Sequence, residues 1–515
     1  MPVRLTPPSN GDIVAGISVA LVALPQSLAY AELAGMPPQY GLFASALPPL
    51  LAAIFVSSRY LQTGPVALTA LLTFGALSTI AEPMSADYIE LAALLAIMVG
   101  VLRVVLGLVR LGSVAYLLSE PVLAGFTTGA AILIVSSQLP RLFDIDRGDD
   151  GVLVEAAKAL GNVGDWSWQA IMFAAGTAAV ILGGRRLHKL FPGVLIAVVA
   201  TVLISGLAGY EGSTIGELDG GFLSLKFDFR WGSIGDLALP AIAIALVGFA
   251  EPSSIARTFA AEERLSWDAN REMVSQGVAN LAAGISGAFP VGGSFSRSSL
   301  NRLAGATSPW AGAITGAAVL AALPLTPLIE DLPGAVLGAI VLVAVFKLIN
   351  VKRLWEIATQ SFAQSLVALG TLVATLLSSP RVERGVLVGI GMAIAVHLYR
   401  ELTVTATSTF EDGQVRVKPQ GVLWFATVPQ VEKLIRNELA AHPDVDAVVV
   451  DLSGVGRLDY TGASALSRFM TALAATGVAV SVENIQPGAE RASLAHFLAA
   501  HETVEGASKG SGQQE

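Results

Sequence analysis

Long apolar runs separated by short polar stretches fill the first 400 or so residues. A helix that crosses a bilayer needs about 20 apolar residues. That ruler marks spans near 11–33, 39–57, 64–80, 86–108, 115–139, 166–184 and 190–209. A more polar stretch follows over 210–235. Further spans fall near 236–257, 270–288, 295–305, 309–328, 333–351, 359–379 and 384–401. The pattern is seven plus seven, with two short members. An odd number in the first half inverts the second half relative to it, so parity predicts an inverted repeat: about 11–209 and about 236–402.

Two segments break the apolar pattern at matching places. Tyr60-Leu-Gln-Thr-Gly-Pro-Val-Ala67 stands at the third span of the first set. Pro290-Val-Gly-Gly-Ser-Phe-Ser-Arg-Ser298 stands at the third span of the second. Matched Gly/Pro interruptions in two halves of a membrane domain point to a transporter binding site.

After Arg400 the period changes. Val404–Phe410, Val415–Thr427, Val445–Asp451 and Val478–Val482 read as strands. Pro429–His442, Gly462–Ala474 and Ala489–Ala500 read as helices, with Pro429 suited to a first turn. The alternation predicts a small α/β domain over 403–505. Residues 506–515 are rich in Gly, Ser and Gln and are expected to be disordered.

Charge orients the membrane part. Arg59, Arg103, Arg110, Arg257 and Arg302 fall at ends on one side, and Arg185, Arg186 and Lys189 form the strongest single cue. Glu82, Asp87, Asp144, Asp146, Asp149, Asp150, Glu217 and Asp219 fall on the other side. The positive-inside rule then puts both termini in the cytoplasm and the chain in the cell's inner (plasma) membrane. Arg141, Arg147, Arg381 and Arg384 run against the rule.

Composition narrows the chemistry. Only 14% of residues are charged, against roughly 25% for a soluble domain, and mean hydropathy is +0.66. The chain has no cysteine, which excludes disulfides, thiolate catalysis and Cys-ligated metal. The five histidines show no ligand spacing, so no metal is expected, and no cofactor. No ATP-binding loop or catalytic constellation points to a pump or an enzyme. The net charge of −9 comes with no basic stripe, so no nucleic acid is expected.

Gly64-Pro65 and Gly292-Gly293 free backbone N–H groups at the start of short helices. Such a start carries about half a positive charge, and within a bilayer an anion can satisfy it. Thr63, Ser294, Ser296 and Ser298 add hydroxyls, and Arg297 adds a full charge. Small residues also let helices pack closely, and Arg297 could snorkel to an interface or sit in a permanent ion pair. Glu251, in Leu246-Val-Gly-Phe-Ala-Glu-Pro-Ser-Ser-Ile255, is an intramembrane carboxylate and a candidate proton carrier. Ionised, it would pair with Arg297; protonated, it would release Arg297 to hold an anion. Glu32, near the end of span one, is a second coupling candidate. Gln26 and Tyr30 follow Pro25 at i, i+4 spacing and share a helix face suited to a cavity wall.

The stretch Pro25-Gln-Ser-Leu-Ala-Tyr-Ala-Glu-Leu-Ala-Gly35-Met-Pro-Pro-Gln-Tyr-Gly-Leu42 resembles the first-span signature of the sulfate permease (SulP) family. Leu118-Ser-Glu-Pro-Val-Leu-Ala-Gly-Phe-Thr-Thr-Gly129 resembles its fifth-span signature, and Ser294-Phe-Ser-Arg-Ser298 the start of its tenth. The resemblance implies a polytopic α-helical membrane protein with 7+7 inverted repeats, a mobile core and a scaffolding gate. It also implies a homodimer that moves anions by an elevator-like motion. By motif position, the anion site would involve Gln26, Tyr30, Val66, Phe295, Ser296 and Arg297, joined by Thr63 and Gly64 from the reading of the first break. In sodium-coupled relatives a carboxylate and hydroxyls stand on span eight. Here Pro252 follows Glu251, which favours protons.

Residues 403–505 resemble a STAS domain. Asp451-Leu-Ser-Gly454 ends a buried strand and Asp459-Tyr-Thr-Gly462 opens a helix. The resemblance implies phosphorylation near Thr461 and a cytoplasmic regulatory partner, although Asp459 or Thr461 also suits a plain helix cap. The leading expectation is a proton-coupled symporter of sulfate, bicarbonate or a dicarboxylate. A sodium symporter, an anion exchanger, an uncoupled channel, a nucleobase permease and a membrane-anchored STAS signalling protein are the alternatives.

Overall fold

The computed structural model describes residues 7–484, apart from 114–117, 147, 149, 189, 217, 219–222, 224 and 403. The expected helix over 489–500 and the tail over 506–515 lie outside the described residues. So do Arg147, Asp149, Lys189, Glu217 and Asp219 of the charge argument. The chain forms two compact units that divide between Ala393 and Ile394.

The first unit is helical. Its first half runs α1 (Asn10–Leu33), α2 (Gln39–Phe55), a two-residue strand β1 (Thr63–Gly64), α3 (Ala67–Leu77), α4 (Ala86–Leu108), α5 (Glu120–Phe143), α6 (Val152–Gly161), α7 (Trp168–Leu187) and α8 (Gly193–Ala208). Its second half runs α9 (Ile234–Glu262), α10 (Ala269–Ile285), a second two-residue strand β2 (Gly292–Gly293), α11 (Phe295–Leu303), α12 (Trp310–Ala322), α13 (Gly334–Val345), α14 (Val351–Gln360), α15 (Phe362–Leu377) and the first part of α16 (Glu383–Glu401), whose residues from Ile394 belong to the second unit. Most bounds fall within a few residues of the expected spans. The span expected from 115 begins as helix only at Glu120, preceded by Ser119. Two helices were not expected: α6 and α14 have ten residues each, too short for the spanning ruler.

Among the described residues, seven helical stretches are long and apolar enough to cross a membrane, and α2, α3, α8 and α15 are apolar but shorter. Length and apolarity alone therefore stop short of fourteen spans. The physical reason is local: α3 and α11 begin where the backbone breaks, and α10 carries a row of polar side chains.

Packing sorts the helices into two sets. In one, α4 lies along α10, and α2 along α12 and α10, with α1, α3, α9 and α11 packed beside them. In the other, α5 lies along α15 and α13, and α7 along α13 and α8. Each set draws helices from both halves of the chain. Close approach depends on small residues: a Cβ on Gly277 would sit 2.7 Å from the Val104 nitrogen, and one on Gly41 only 1.9 Å from the Ser27 oxygen. The start of α1 is fixed by a reciprocal cap. Ser9 Oγ accepts from the Asp12 N–H at 3.1 Å, and the Asp12 carboxylate accepts from the Ser9 N–H at 2.9 Å. Asp12 also accepts from the backbone N–H groups of Thr307 (2.8 Å) and Ser308 (2.9 Å), which ties α1 to the connection before α12.

Arg103 corrects the charge reading. It does not sit at an interface but is fully buried within α4. Its guanidinium donates to the carbonyls of Ile244 (2.9 Å) and Ala245 (3.1 Å) in α9 and of Val291 (3.1 Å) just before β2.

The second unit is α/β. Strands β3 (Thr405–Glu411), β4 (Gln414–Leu423), β5 (Ala447–Asp451) and β7 (Ala479–Glu483) pair in the order β3-β4-β5-β7, and β6 (Val455–Leu458) pairs with the far end of β4. The β3–β4 hairpin is antiparallel, and the remaining pairs are parallel. Helices α17 (Val428–Ala441) and α18 (Tyr460–Ala474) provide the connections that parallel pairing requires. Alternate residues of β4 bury Val415 and Val417 against Val448, Val450, Val431 and Leu466. Pro429 stands in the first turn of α17, as expected. The strand expected over Val415–Thr427 is shorter than its apolar pattern suggests: β4 ends at Leu423, and Thr427 precedes α17. Strand β6 was not expected.

Candidate functional site

The two breaks in the apolar pattern meet in space. Thr63 pairs with Gly293 and Gly64 with Gly292 as a short antiparallel ladder. Each strand leads directly into a helix, with Val66 before α3 and Ser294 before α11. Two helix N-termini, with their unsatisfied N–H groups and positive dipole ends, thus start from one paired element. The Ser294 N–H donates to the Gln62 carbonyl at 3.0 Å, and the Gln62 N–H donates to Ser298 Oγ at 2.9 Å, which extends the junction on both sides.

Arg297 spans the junction. It is 2% exposed, and one guanidinium nitrogen, Nη2, donates to the Pro65 carbonyl at 2.8 Å. The other, Nη1, is buried without a protein partner. A Cβ on Gly64 would stand 3.1 Å from Nη2, so glycine there leaves room for the guanidinium over the break. A buried, half-satisfied guanidinium is costly unless something else pairs with it.

The other expected residues gather around it unevenly. Tyr30 is buried and lies within electrostatic reach of both Arg297 and Glu251. The Glu251 carboxyl faces the backbone N–H of Phe295, the first residue of α11, and feels the charge of Arg297. Among the described residues no ion pair joins the two directly. Gln26 is buried and its Oε1 has no partner. Phe295 is 56% exposed and stacks on Phe259 with ring centroids 6.4 Å apart; Ser296 is exposed next to it. Two of the expected hydroxyls serve the scaffold instead: Thr63 Oγ1 accepts from Gln276, and Ser298 Oγ accepts from Gln62. Glu32 is engaged elsewhere, in an ion pair with Arg141 of α5.

The sequence reading missed the polar row on α10. Glu272, Gln276 and Asn280 are all fully buried. The Glu272 carboxylate accepts from the backbone N–H groups of Ser58 (2.9 Å) and Ser57 (3.1 Å) and from Trp267 Nε1 (3.3 Å). Gln276 Nε2 donates to Thr63 Oγ1 at 2.8 Å. Asn280 donates from Nδ2 to the Val291 carbonyl at 3.0 Å and accepts from the Val291 N–H at 3.0 Å. The signal was present as polar residues at i, i+4 and i+8 within a span.

The profile of the sulfate permease family matches residues 10–371. The chain belongs to the sulfate permease family. The STAS domain profile matches residues 406–505. Sulfate transporter 4.1, a chloroplastic protein of Arabidopsis thaliana, is 29% identical over 516 residues, covering 92% of this chain and 75% of that protein. A probable sulfate transporter of Mycobacterium tuberculosis is 32% identical over 400 residues, covering 76% of this chain and 69% of that protein. Among solved structures, the murine Solute Carrier 26 family member A9 anion transporter in its inward-facing state aligns with a TM-score of 0.87 at 22% identity, over 96% of this chain and 88% of that one. The transmembrane domain of a cyanobacterial bicarbonate transporter, BicA, aligns with a TM-score of 0.64 at 23% identity, over 75% of this chain and 97% of that one. This member of the sulfate permease family thus has a helical membrane transporter fold with a STAS-type α/β domain. The family is one of transporters, not enzymes.

The STAS-type unit places its expected residues at two strand ends. Asp459 caps α18 by accepting from the Gly462 N–H at 2.6 Å. Thr461 is exposed and donates to the Asp459 carboxylate at 3.0 Å. Hydrogen bonds from the Asn484 side chain and the Ser453 N–H lower the Asp451 carboxyl to about 2.

Proposed function

We propose that the chain is a secondary active transporter of a small anion — sulfate, bicarbonate or a dicarboxylate — carried together with a proton. The observation that carries this reading is Arg297: buried at the start of two half-helices, with Nη1 left without a protein partner. An oxyanion there would meet the N-terminal N–H groups of α3 and α11 and the free edge of a guanidinium, a strong charge-assisted combination. Gln26, Tyr30, Val66, Phe295 and Ser296 line the approach, with Thr63 and Gly64 shaping its floor. Relatives named for sulfate and for bicarbonate bracket the charge and size expected of the substrate.

Glu251 supplies the coupling. Ionised, it competes with the anion for Arg297; protonated, it leaves the guanidinium to the anion. Anion and proton then favour each other's binding. Glu32 acts mechanically, holding α1 to α5 until the site-bearing helix set moves past the other set in an elevator-like step. The chain works as a homodimer in the cell's inner (plasma) membrane with both termini cytoplasmic. Thr461 receives a regulatory phosphate, through which the STAS-type domain engages a cytoplasmic partner.

The test of coupling is Glu251→Gln in proteoliposomes. The variant is expected to lose uphill accumulation under an imposed proton gradient while retaining anion exchange. A variant that still concentrates the anion under that gradient would show that the proton travels by another group.

A further inference from the structure

We propose that α10 sets the register of both broken helices, with Gln276 and Asn280 as positioning residues for anion binding; the role rests on the anion-site reading above. Each break exposes backbone that neither a helix nor a full sheet satisfies, because the ladder between β1 and β2 is two residues long. In a dry interior such groups need partners. Asn280 gives Val291 both a donor and an acceptor, as a neighbouring strand would. Gln276 holds Thr63, the residue that pairs with Gly293. The two side chains are four residues apart on one face of one helix, and Asn280 Nδ2 also donates to the Gln276 carbonyl at 2.7 Å. One turn earlier, Glu272 fixes Ser57 and Ser58, where the chain leaves α2 for the first break.

A single rigid element thus grips each break, through the Thr63 hydroxyl in β1 and the Val291 backbone just before β2. The N–H groups of α3 and α11 and the guanidinium of Arg297 keep one mutual geometry because α10 holds both approaches. An anion held by several converging donors is sensitive to displacements well below 1 Å, so loosening either grip costs affinity before it costs the fold. The grip also lets the two half-helix starts travel as one body when the helix set moves.

The test uses the full chain in proteoliposomes, with uptake of labelled sulfate, bicarbonate and fumarate, and hydrogen exchange of the same purified variants by mass spectrometry. Asn280→Ala is expected to raise KM about tenfold for the transported anion, a cost of about 1.4 kcal/mol, while the maximal rate stays within about twofold. Exchange should rise in the segment 288–296 and not in α4. Gln276→Leu and Thr63→Val should each raise KM, and the double variant should match the single ones rather than their product. Unchanged KM, or a loss of folded protein with normal KM in what remains, overturns the positioning role. Arg297→Lys runs alongside to separate the two claims. If it loses the anion while Asn280→Ala keeps its KM, only the α10 role fails. If Arg297→Lys keeps the parent's KM, or the parent takes up none of the three anions, the site reading fails and the positioning role falls with it.

Discussion

Arg297 concentrates the chemistry of the site in one side chain. Its guanidinium is planar, and one Nη is committed to the Pro65 carbonyl while Nη1 stays available. A lysine at that position would bring a compact ammonium that cannot hold Pro65 and an oxyanion with the same fork geometry. Arg297→Lys is expected to weaken anion binding by at least tenfold, measured as KM in proteoliposomes, with the protein still folded. Asp451 presents a different case at the same scale. Its folded carboxyl is lowered from 3.8 to about 2 by Asn484 and Ser453. A depressed carboxyl stabilises the fold above its unfolded pKa and loses that contribution as pH falls through the folded one. Asp451→Ala should therefore lower the melting temperature at pH 7. The gap between variant and parent should shrink as pH falls from 3.8 towards about 2.

At the scale of elements, much of the architecture was legible because the signals are local. The breaks at Thr63–Val66 and Gly292–Arg297 stand out as Gly, Pro and hydroxyl residues in apolar sequence. Pro429, Asp459 and the alternating residues of β4 read directly as a first turn, a cap and a half-buried strand. Other features depend on partners far away in the chain. Arg103 looks like an interfacial residue until α9 and Val291 are seen to surround it. Glu272, Gln276 and Asn280 look like the polar side of an ordinary helix, because their partners belong to distant segments: the Ser57 N–H for Glu272, the Thr63 hydroxyl for Gln276 and the Val291 backbone for Asn280. The same dependence on neighbours separates two helical glycines. A Cβ on Gly41 would lie 1.9 Å from the Ser27 carbonyl oxygen, whereas nothing lies within 4 Å of one on Gly176. Gly41→Ala should push α1 and α2 apart and lower the melting temperature sharply. Gly176→Ala should leave it unchanged or raise it slightly, since alanine is the better helix former by about 1 kcal/mol.

At the scale of the whole membrane unit, the two helix sets meet where α1 packs on α13 and α8 and α3 on α5, and a group of polar contacts ties them at one end. Glu32 of α1 pairs with Arg141 of α5, and the Arg381 guanidinium donates to Thr79 Oγ1 at 2.9 Å, just beyond the end of α3. Gly75 of α3 lies against the Pro380 carbonyl oxygen, which a Cβ there would approach to 2.1 Å. Among the described residues, Arg141 and Arg381, which run against the charge rule, are thus cations that join the sets at that end. Removing them should favour the state in which this side is open. The cysteine-free chain makes the check direct. A single cysteine at Ser136, which lines the gap between α3 and α5, should be labelled faster from that side when Arg141→Ala and Arg381→Ala are added. Equal labelling rates would mean that these contacts do not hold the two sets together.

The central claim is that the paired breaks and Arg297 form an anion site worked by a proton. Its most direct test is uptake by the parent protein in proteoliposomes, with labelled sulfate, bicarbonate, fumarate and a neutral nucleobase offered under separately imposed proton and sodium gradients. The account predicts that at least one anion accumulates under the proton gradient, that the sodium gradient adds nothing, and that the nucleobase is left outside. Accumulation of the nucleobase with no uptake of any anion would contradict it.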